Sequence, residues 1–408
     1  MPPGLITSPP LSSLDLSRAE YWRDGLVGPL FERLRAEDPV HFCRESPFGP
    51  YWSITRHSEI VEVERQPDLF SSSYRHGGVT LFGDKPSWFP MFIAMDGAQH
   101  KAQRATVAPA FAPSRMSRLA PFLKRHVDEV VGSLPLGATF DWAERVSAEL
   151  STRMLAELLG VPFEHRRKLI RWSDWAADLR AIVDPGLART RLEILWECAG
   201  FFLGLWRARE KEGTGTDLIS MMARSEATRA MAPQQYLGNL ILLVVGGTDT
   251  TRNAMSALPA VVRKWPEQWR KLVADPALGA SAALELIRWQ TPLAHMRRTA
   301  TAPCELAGRR IAAGDKVVLW YLSGNRDGSV FDEPDRFRGD RANVRQHLAF
   351  GFGVHRCVGA RLAELQVAAL IQALLERGLR PVQAGKESLT ANCFSHGFSA
   401  MPARLERA

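Results

Sequence analysis

Residues 348–359 read Leu348-Ala349-Phe350-Gly351-Phe352-Gly353-Val354-His355-Arg356-Cys357-Val358-Gly359, a glycine-rich turn with one cysteine near its end. Behind it, Ala360 to Leu370 has helical apolar spacing and good helix formers, so a helix is predicted over 358–377. Cys357 then lies at a helix N-terminus, where backbone N–H groups and the dipole favour a thiolate. Gly351 and Gly353 carry no Cβ and let the backbone lie against something large and flat. A small buried loop cysteine is the ordinary alternative for Cys357 taken alone. A thiolate on a close-approach turn, with His355 two residues before it, suits an axial ligand of haem iron.

Upstream, the apolar stretch Leu240 to Val245 runs into Gly246-Gly247-Thr248-Asp249-Thr250-Thr251-Arg252-Asn253. A helix is expected over 234–263, and these residues are unfavourable in its middle. Each glycine costs roughly 1 kcal/mol against alanine. A local rule broken inside a strong helix often marks function. The functional reading is a helix widened beside a ligand, with Asp249 and Thr250 as an acid–alcohol pair that delivers protons. A helix crossing at Gly246-Gly247, or a helix end capped by Asp249, are the alternatives. Pro259, in Ala257-Leu258-Pro259, should kink this helix.

His100 and Arg104 lie four apart and share one face of a helix over 98–110. Glu285 and Arg288 lie three apart on a helix over 279–290, close enough for a charge-assisted pair. Further helices are predicted at 28–37, 114–133, 143–158, 164–181, 187–211 and 266–274. Short strands fit Val40–Cys43, Tyr51–Thr55 and parts of 293–320. The fold class is mainly α with a small β region.

The 408 residues are 46% hydrophobic, enough for a large core, and no linker or repeat divides them. One domain over 1–408 is expected, with 1–15 a flexible N-terminus. The net charge of +8 comes from scattered basic residues, which argues against nucleic acid. Five separated cysteines form no disulfide or metal pattern and point to a reducing compartment. No stretch is long enough to span a membrane, and Met1 to Leu11 lacks a signal-peptide core, so a cytoplasmic protein is expected.

Taken together, these motifs resemble the cytochromes P-450, in family order across roughly residues 96–363. The resemblance implies a single haem domain of P-450 fold holding haem b, iron-protoporphyrin IX, with Cys357 as the thiolate ligand. It implies that His100, Arg104, Arg298 and His355 meet the haem propionates, and that Phe350, Gly351 and Gly359 line the haem, Phe350 shielding the sulfur. Thr250 stabilises iron-bound peroxide and Asp249 relays protons. Glu285 and Arg288 become a buried pair completed by a later arginine, Arg336 as the expected one and Arg341 as the alternative.

Longer stretches, including 50–55, 90–96, 288–298 and 320–327, resemble the soluble bacterial hydroxylases of alkanes and fatty acids. That implies a monooxygenase using O2 for terminal (omega) hydroxylation of a linear apolar chain. Bulkier terpenoid, steroid or polyketide substrates are an alternative. So are a peroxide-driven enzyme and a haem-thiolate sensor or carrier without turnover. The apolar candidates for the substrate wall are Phe82, Met91, Phe92, Ile93, Leu242, Val245, Gly246, Leu293, Met296 and Phe394, with Leu81, Trp88 and Phe89 beside them. No flavin or nicotinamide module is visible. Electrons are therefore expected from an acidic ferredoxin and an NAD(P)H-dependent reductase, docking near Lys101, Arg115, Arg118, Arg345, Arg356 and Arg361.

Overall fold

In the computed structural model, residues 9–81, 90–178 and 180–408 are described. The helix Pro233–Ser256 is the axis of the molecule, with Tyr236, Leu240, Val244 and Met255 buried along its length. Helices Lys168–Ala177, Glu149–Leu159, Gly279–Gln290 and Ala360–Glu376 pack on it. Their apolar faces close one large core around it. The expected 234–263 helix is two helices rather than one kinked one. The first stops at Ser256, and Leu258–Lys264 restarts with Pro259 in its first turn, where its missing N–H costs nothing.

Proline also shortens the expected 98–110 helix. Gly97–Val107 is α, and Ala108–Phe111, with Pro109, tightens to a 3₁₀ turn. The predicted 143–158 helix opens with a π turn, Ala143–Ala148, before Glu149–Leu159. The predicted 164–181 helix shrinks to Lys168–Ala177. Its neighbour runs over 28 residues, Pro185–Glu212, between an Asp184 cap on the Gly186 and Leu187 N–H groups and left-handed Gly213.

A five-stranded sheet lies beside the helices in the order Val40–Cys43, Tyr51–Ile54, Lys316–Leu319, Met296–Ala300, Phe70–Ser71. Only the second and third strands of that order run parallel. A small sheet joins Phe140–Asp141, Pro402–Arg407 and Leu379–Gln383, and a hairpin pairs Ser388–Leu389 with Phe398–Ala400. None of these C-terminal strands was predicted. Of the N-terminus expected to be flexible, Leu14 and Asp15 are buried; residues 1–8 lie outside the described residues. Among the described residues no helix is long and apolar enough to cross a membrane.

One predicted arginine is also corrected. Glu285 and Arg288 form a fully buried pair at 2.7 Å, but the third partner is Arg341, whose Nε donates to both Glu285 oxygens at 3.0 Å. Arg336 instead meets Glu333 and Glu267 at the surface, lending the buried arginines only its carbonyl. A buried carboxylate needs each of its oxygens answered, and Arg341 is itself buried.

Candidate active site

The cysteine loop is pinned before its helix begins. Asn325 Oδ1 accepts from the Leu348 N–H at 2.6 Å, and the Phe350 carbonyl accepts from the Cys357 N–H at 2.8 Å. Gly351 and Gly353 are left-handed, with φ of 67° and 66°. At Gly353 the close approach is to protein, since a Cβ would lie 2.6 Å from the Glu64 carbonyl oxygen. That corrects the expectation that this glycine makes room for a flat ligand. The helix starts at Ala360, three residues beyond the cysteine. Cys357 is exposed by area yet ringed by protein, and burial pushes its thiol up. The Gly359 N–H, Arg104 and Arg356 pull the other way without prevailing.

Beside the loop four basic side chains converge. The His100 and His355 rings face each other with centroids 4.1 Å apart. Burial, then Arg298, His100 and Arg104, hold the His355 imidazole down at about 2. Burial and Arg104 also lower that of His100. Buried His100 Nε2 and His355 Nδ1 have no hydrogen-bond partner among the described residues. Arg104 donates to the Arg356 carbonyl, and Arg298 pairs with Glu64 at 3.0 Å, while the Tyr321 hydroxyl also donates to Glu64. Strand alternation separates the two neighbouring arginines, since Arg297 turns the other way to the His76 carbonyl at 2.7 Å. Unanswered imidazole nitrogens among arginines form a donor set that fits the carboxylates of a haem edge.

The two glycines of the long helix have different jobs. A Cβ on Gly247 would meet Leu155 Cδ1 at 2.6 Å, so this residue serves a helix crossing. A Cβ on Gly246 would meet nothing within 4 Å, and this glycine is exposed midway along a buried helix. Thr250, one turn on and half-buried, donates to the Gly246 carbonyl at 2.7 Å. Asp249 is buried and held by Arg252 Nη2 at 2.7 Å, Asn253 Nδ2 at 3.2 Å and the Ser395 hydroxyl. Arg252 Nη2 also reaches Asp174 at 2.7 Å. Asp174 lines a surface cavity of about 290 Å³ with Glu144, Arg167 and Arg171. Burial raises the Asp174 carboxyl despite Arg252.

Sequence reasoning missed Arg252, Asn253 and Ser395 as partners of the acid. The first two lie three and four residues beyond Asp249, a legible helical spacing. Ser395 is 146 residues away and gave no signal.

Of the predicted substrate wall, Val245, Leu293 and Met296 pack half-buried on a cluster containing Leu81 and Phe394. The Ala294 N–H donates to the Phe394 carbonyl at 2.9 Å, which draws these two segments together. Phe92 and Leu242 belong to the main core. The Phe92 N–H donates to Asn239 Oδ1 at 2.7 Å, tying the half-buried Met91 and Ile93 to the long helix. Phe82, Trp88 and Phe89 lie outside the described residues. Phe350 is partly buried, with its ring 5.2 Å from His347.

A family model described as Cytochrome P450 matches residues 281–399. The chain is 36% identical over 401 residues to linalool 8-monooxygenase of Pseudomonas putida, covering 94% of this chain and 97% of that protein. It therefore belongs to the cytochrome P450 family and is a P450 monooxygenase. It is 28% identical over 412 residues to a methyl-branched lipid omega-hydroxylase of Mycobacterium bovis, covering 96% of this chain and 95% of the relative. The solved structure of CYP153D17 from Sphingomonas sp. PAMC 26605 is 49% identical and superposes with a TM-score of 0.90, covering 96% of this chain and 99% of that one. The fold is the P450 fold, mainly helical with a minor β part, and the family implies haem with a cysteine thiolate, O2 and an apolar substrate.

Proposed function

We propose that this P450 hydroxylates the terminal carbon of a linear apolar molecule, an alkane, fatty acid or similar chain. Cys357 is the ligand of a haem b, with His100, Arg104, Arg298 and His355 on its propionates and Phe350, Gly351 and Gly359 along its face. When bound, the haem supplies oxygen activation and hydroxylation of an unactivated C–H bond. The observation that carries the reading is Gly246, where a Cβ would meet nothing within 4 Å one helical turn before Thr250, together with an apolar wall of Val245, Leu293 and Met296 packed on one cluster. None of the wall residues is charged. Each buried methylene gains about 0.8 kcal/mol, which holds an alkyl chain without an anchor.

Asp249 keeps the proton supply. An ion-pair chain ties it through Arg252 to Asp174 at the surface cavity, and swinging Arg252 toward Asp174 would open the acid to water. The Thr250 hydroxyl, one helical position on, faces the open side and passes the proton inward. Electrons come from an acidic ferredoxin and an NAD(P)H-dependent reductase. The exposure of Lys101, Arg118, Arg345, Arg356 and Arg361 supports that reading, as does Val354, 51% exposed within the cysteine loop. The reading treats residues 1–408 as one haem domain working in the cytoplasm.

A terpenoid substrate is the second reading, favoured by the likeness to linalool 8-monooxygenase. Titrating the ferric Soret band with alkanes, fatty acids, terpenoids and steroids decides between them. Linear chains are expected to shift the spin state. A response to ring systems alone overturns the proposal.

A further inference from the structure

The helix Pro185–Glu212 leaves one face uncovered. Along it lie Leu192 and Trp196, 53% and 72% exposed, then Gly200, Leu203, Gly204 and Ala208. The stripe recurs at three- and four-residue steps, the spacing of a helix–helix seam. Two glycines inside a helix are unfavourable against alanine. At Gly247 the packed Leu155 explains the absence of a Cβ, but at Gly200 and Gly204 a Cβ would meet nothing within 4 Å. Among the described residues nothing uses the close approach those glycines allow, and nothing covers Trp196.

The stripe is also self-complementary. If two such helices cross antiparallel with Gly200 on a twofold axis, residues equidistant from it face each other. Trp196 then lies over Gly204 of the second copy, and Leu192 over Ala208. Glu193 and Arg207, each about 10 Å from the axis and on opposite sides of it, become two equivalent ion pairs. Glu193 is otherwise held only by exposed Arg189 at 3.3 Å, and Arg207 has no ion pair among the described residues. A parallel arrangement would set Glu193 on Glu193 and Trp196 on Trp196. A lipid surface accounts for the tryptophan but not for a seam that carries Glu193 among its apolar residues.

We propose that this face is the interface of a homodimer in which the 185–212 helices of two copies cross antiparallel at Gly200. One helix per copy makes a small contact, so the dimer forms in a concentration-dependent way.

Sedimentation velocity of the haem-loaded full chain across a concentration series tests it. The expected result is a monomer-to-dimer shift that Gly200→Leu abolishes without lowering the melting temperature, since a Cβ there meets nothing within 4 Å inside its own copy and points from an exposed helix position. Glu193→Arg and Arg207→Glu should each weaken association at least several-fold, and the double variant should restore it. A monomer at every concentration overturns the proposal. So does a dimer that survives Gly200→Leu, or a double variant no better than either single one. Flotation of the monomer with neutral phosphatidylcholine vesicles, without self-association, overturns it in favour of a lipid surface.

Discussion

Asp249 has three hydrogen-bond donors, and only Arg252 among them is charged. Replacing the acid by its amide keeps the size of the side chain and removes the group proposed to carry the proton. Asp249→Asn is therefore expected to lower turnover by about 10²-fold and to enlarge the solvent deuterium isotope effect, because general acid–base steps contribute on that order. The carbon-monoxide difference spectrum should stay unchanged. Equal rates and isotope effects in both proteins would remove Asp249 from proton delivery. At this scale the sequence was legible where chemistry is local: Cys357 and His355 share one loop, and His100 and Arg104 one helical turn. It was not legible where two like residues sit together. Gly246 and Gly247 look alike until Leu155 is placed against one of them. Arg336 and Arg341 look alike until burial selects the second, because nothing in a charge pattern reports depth.

The long apolar helices were readable from periodicity, but several of their ends were not: 98–110 stops at Val107, 164–181 narrows to Lys168–Ala177, and 234–263 breaks at Ala257. The C-terminal strands were not readable, since runs of two or three residues carry too little alternation to rise above loop composition. Yet the loop between them reaches Asp249 through Ser395. Asn253 donates to Asp249 and to Ser395, and its Oδ1 accepts from the Phe398 N–H at 3.3 Å. Gly397 makes this possible, because a Cβ there would lie 2.0 Å from Asn253 Oδ1. Gly397→Ala must displace either the loop or Asn253, and overpacking of this kind costs about 1–3 kcal/mol. The expected result is a melting temperature lower by several degrees together with slower turnover. An unchanged melting temperature with unchanged turnover would show that the loop yields freely and does not hold Asn253 in place.

Across the whole molecule, buried imidazoles tie stability to pH. His295 is fully buried on the sheet side, its Nδ1 on the Cys393 carbonyl at 2.8 Å and its ring against Trp320 and Phe394. Its Nε2 has no partner among the described residues, so a second proton there would be an unanswered charge. Burial outweighs the Cys393 carbonyl and lowers this imidazole from 6.5 to about 4. Above pH 6.5 neither the folded nor the unfolded chain carries the proton, and the group adds nothing. Below 6.5 the unfolded chain takes it up first, so stability falls as the pH drops and stops falling near pH 4, where the folded form titrates too. The full loss is about 3 kcal/mol for this one residue. His396, lowered to about 4 by burial and held at Gln290 across the same loop, adds to the slope. Melting curves between pH 7.5 and 4.5 should therefore slope downward with acid, and His295→Phe should flatten the slope by one residue's share whatever it does to the midpoint at neutral pH. A His295→Phe protein with the wild-type slope would mean that His295 protonates in place, and the buried, half-satisfied imidazole would lose its part in acid lability.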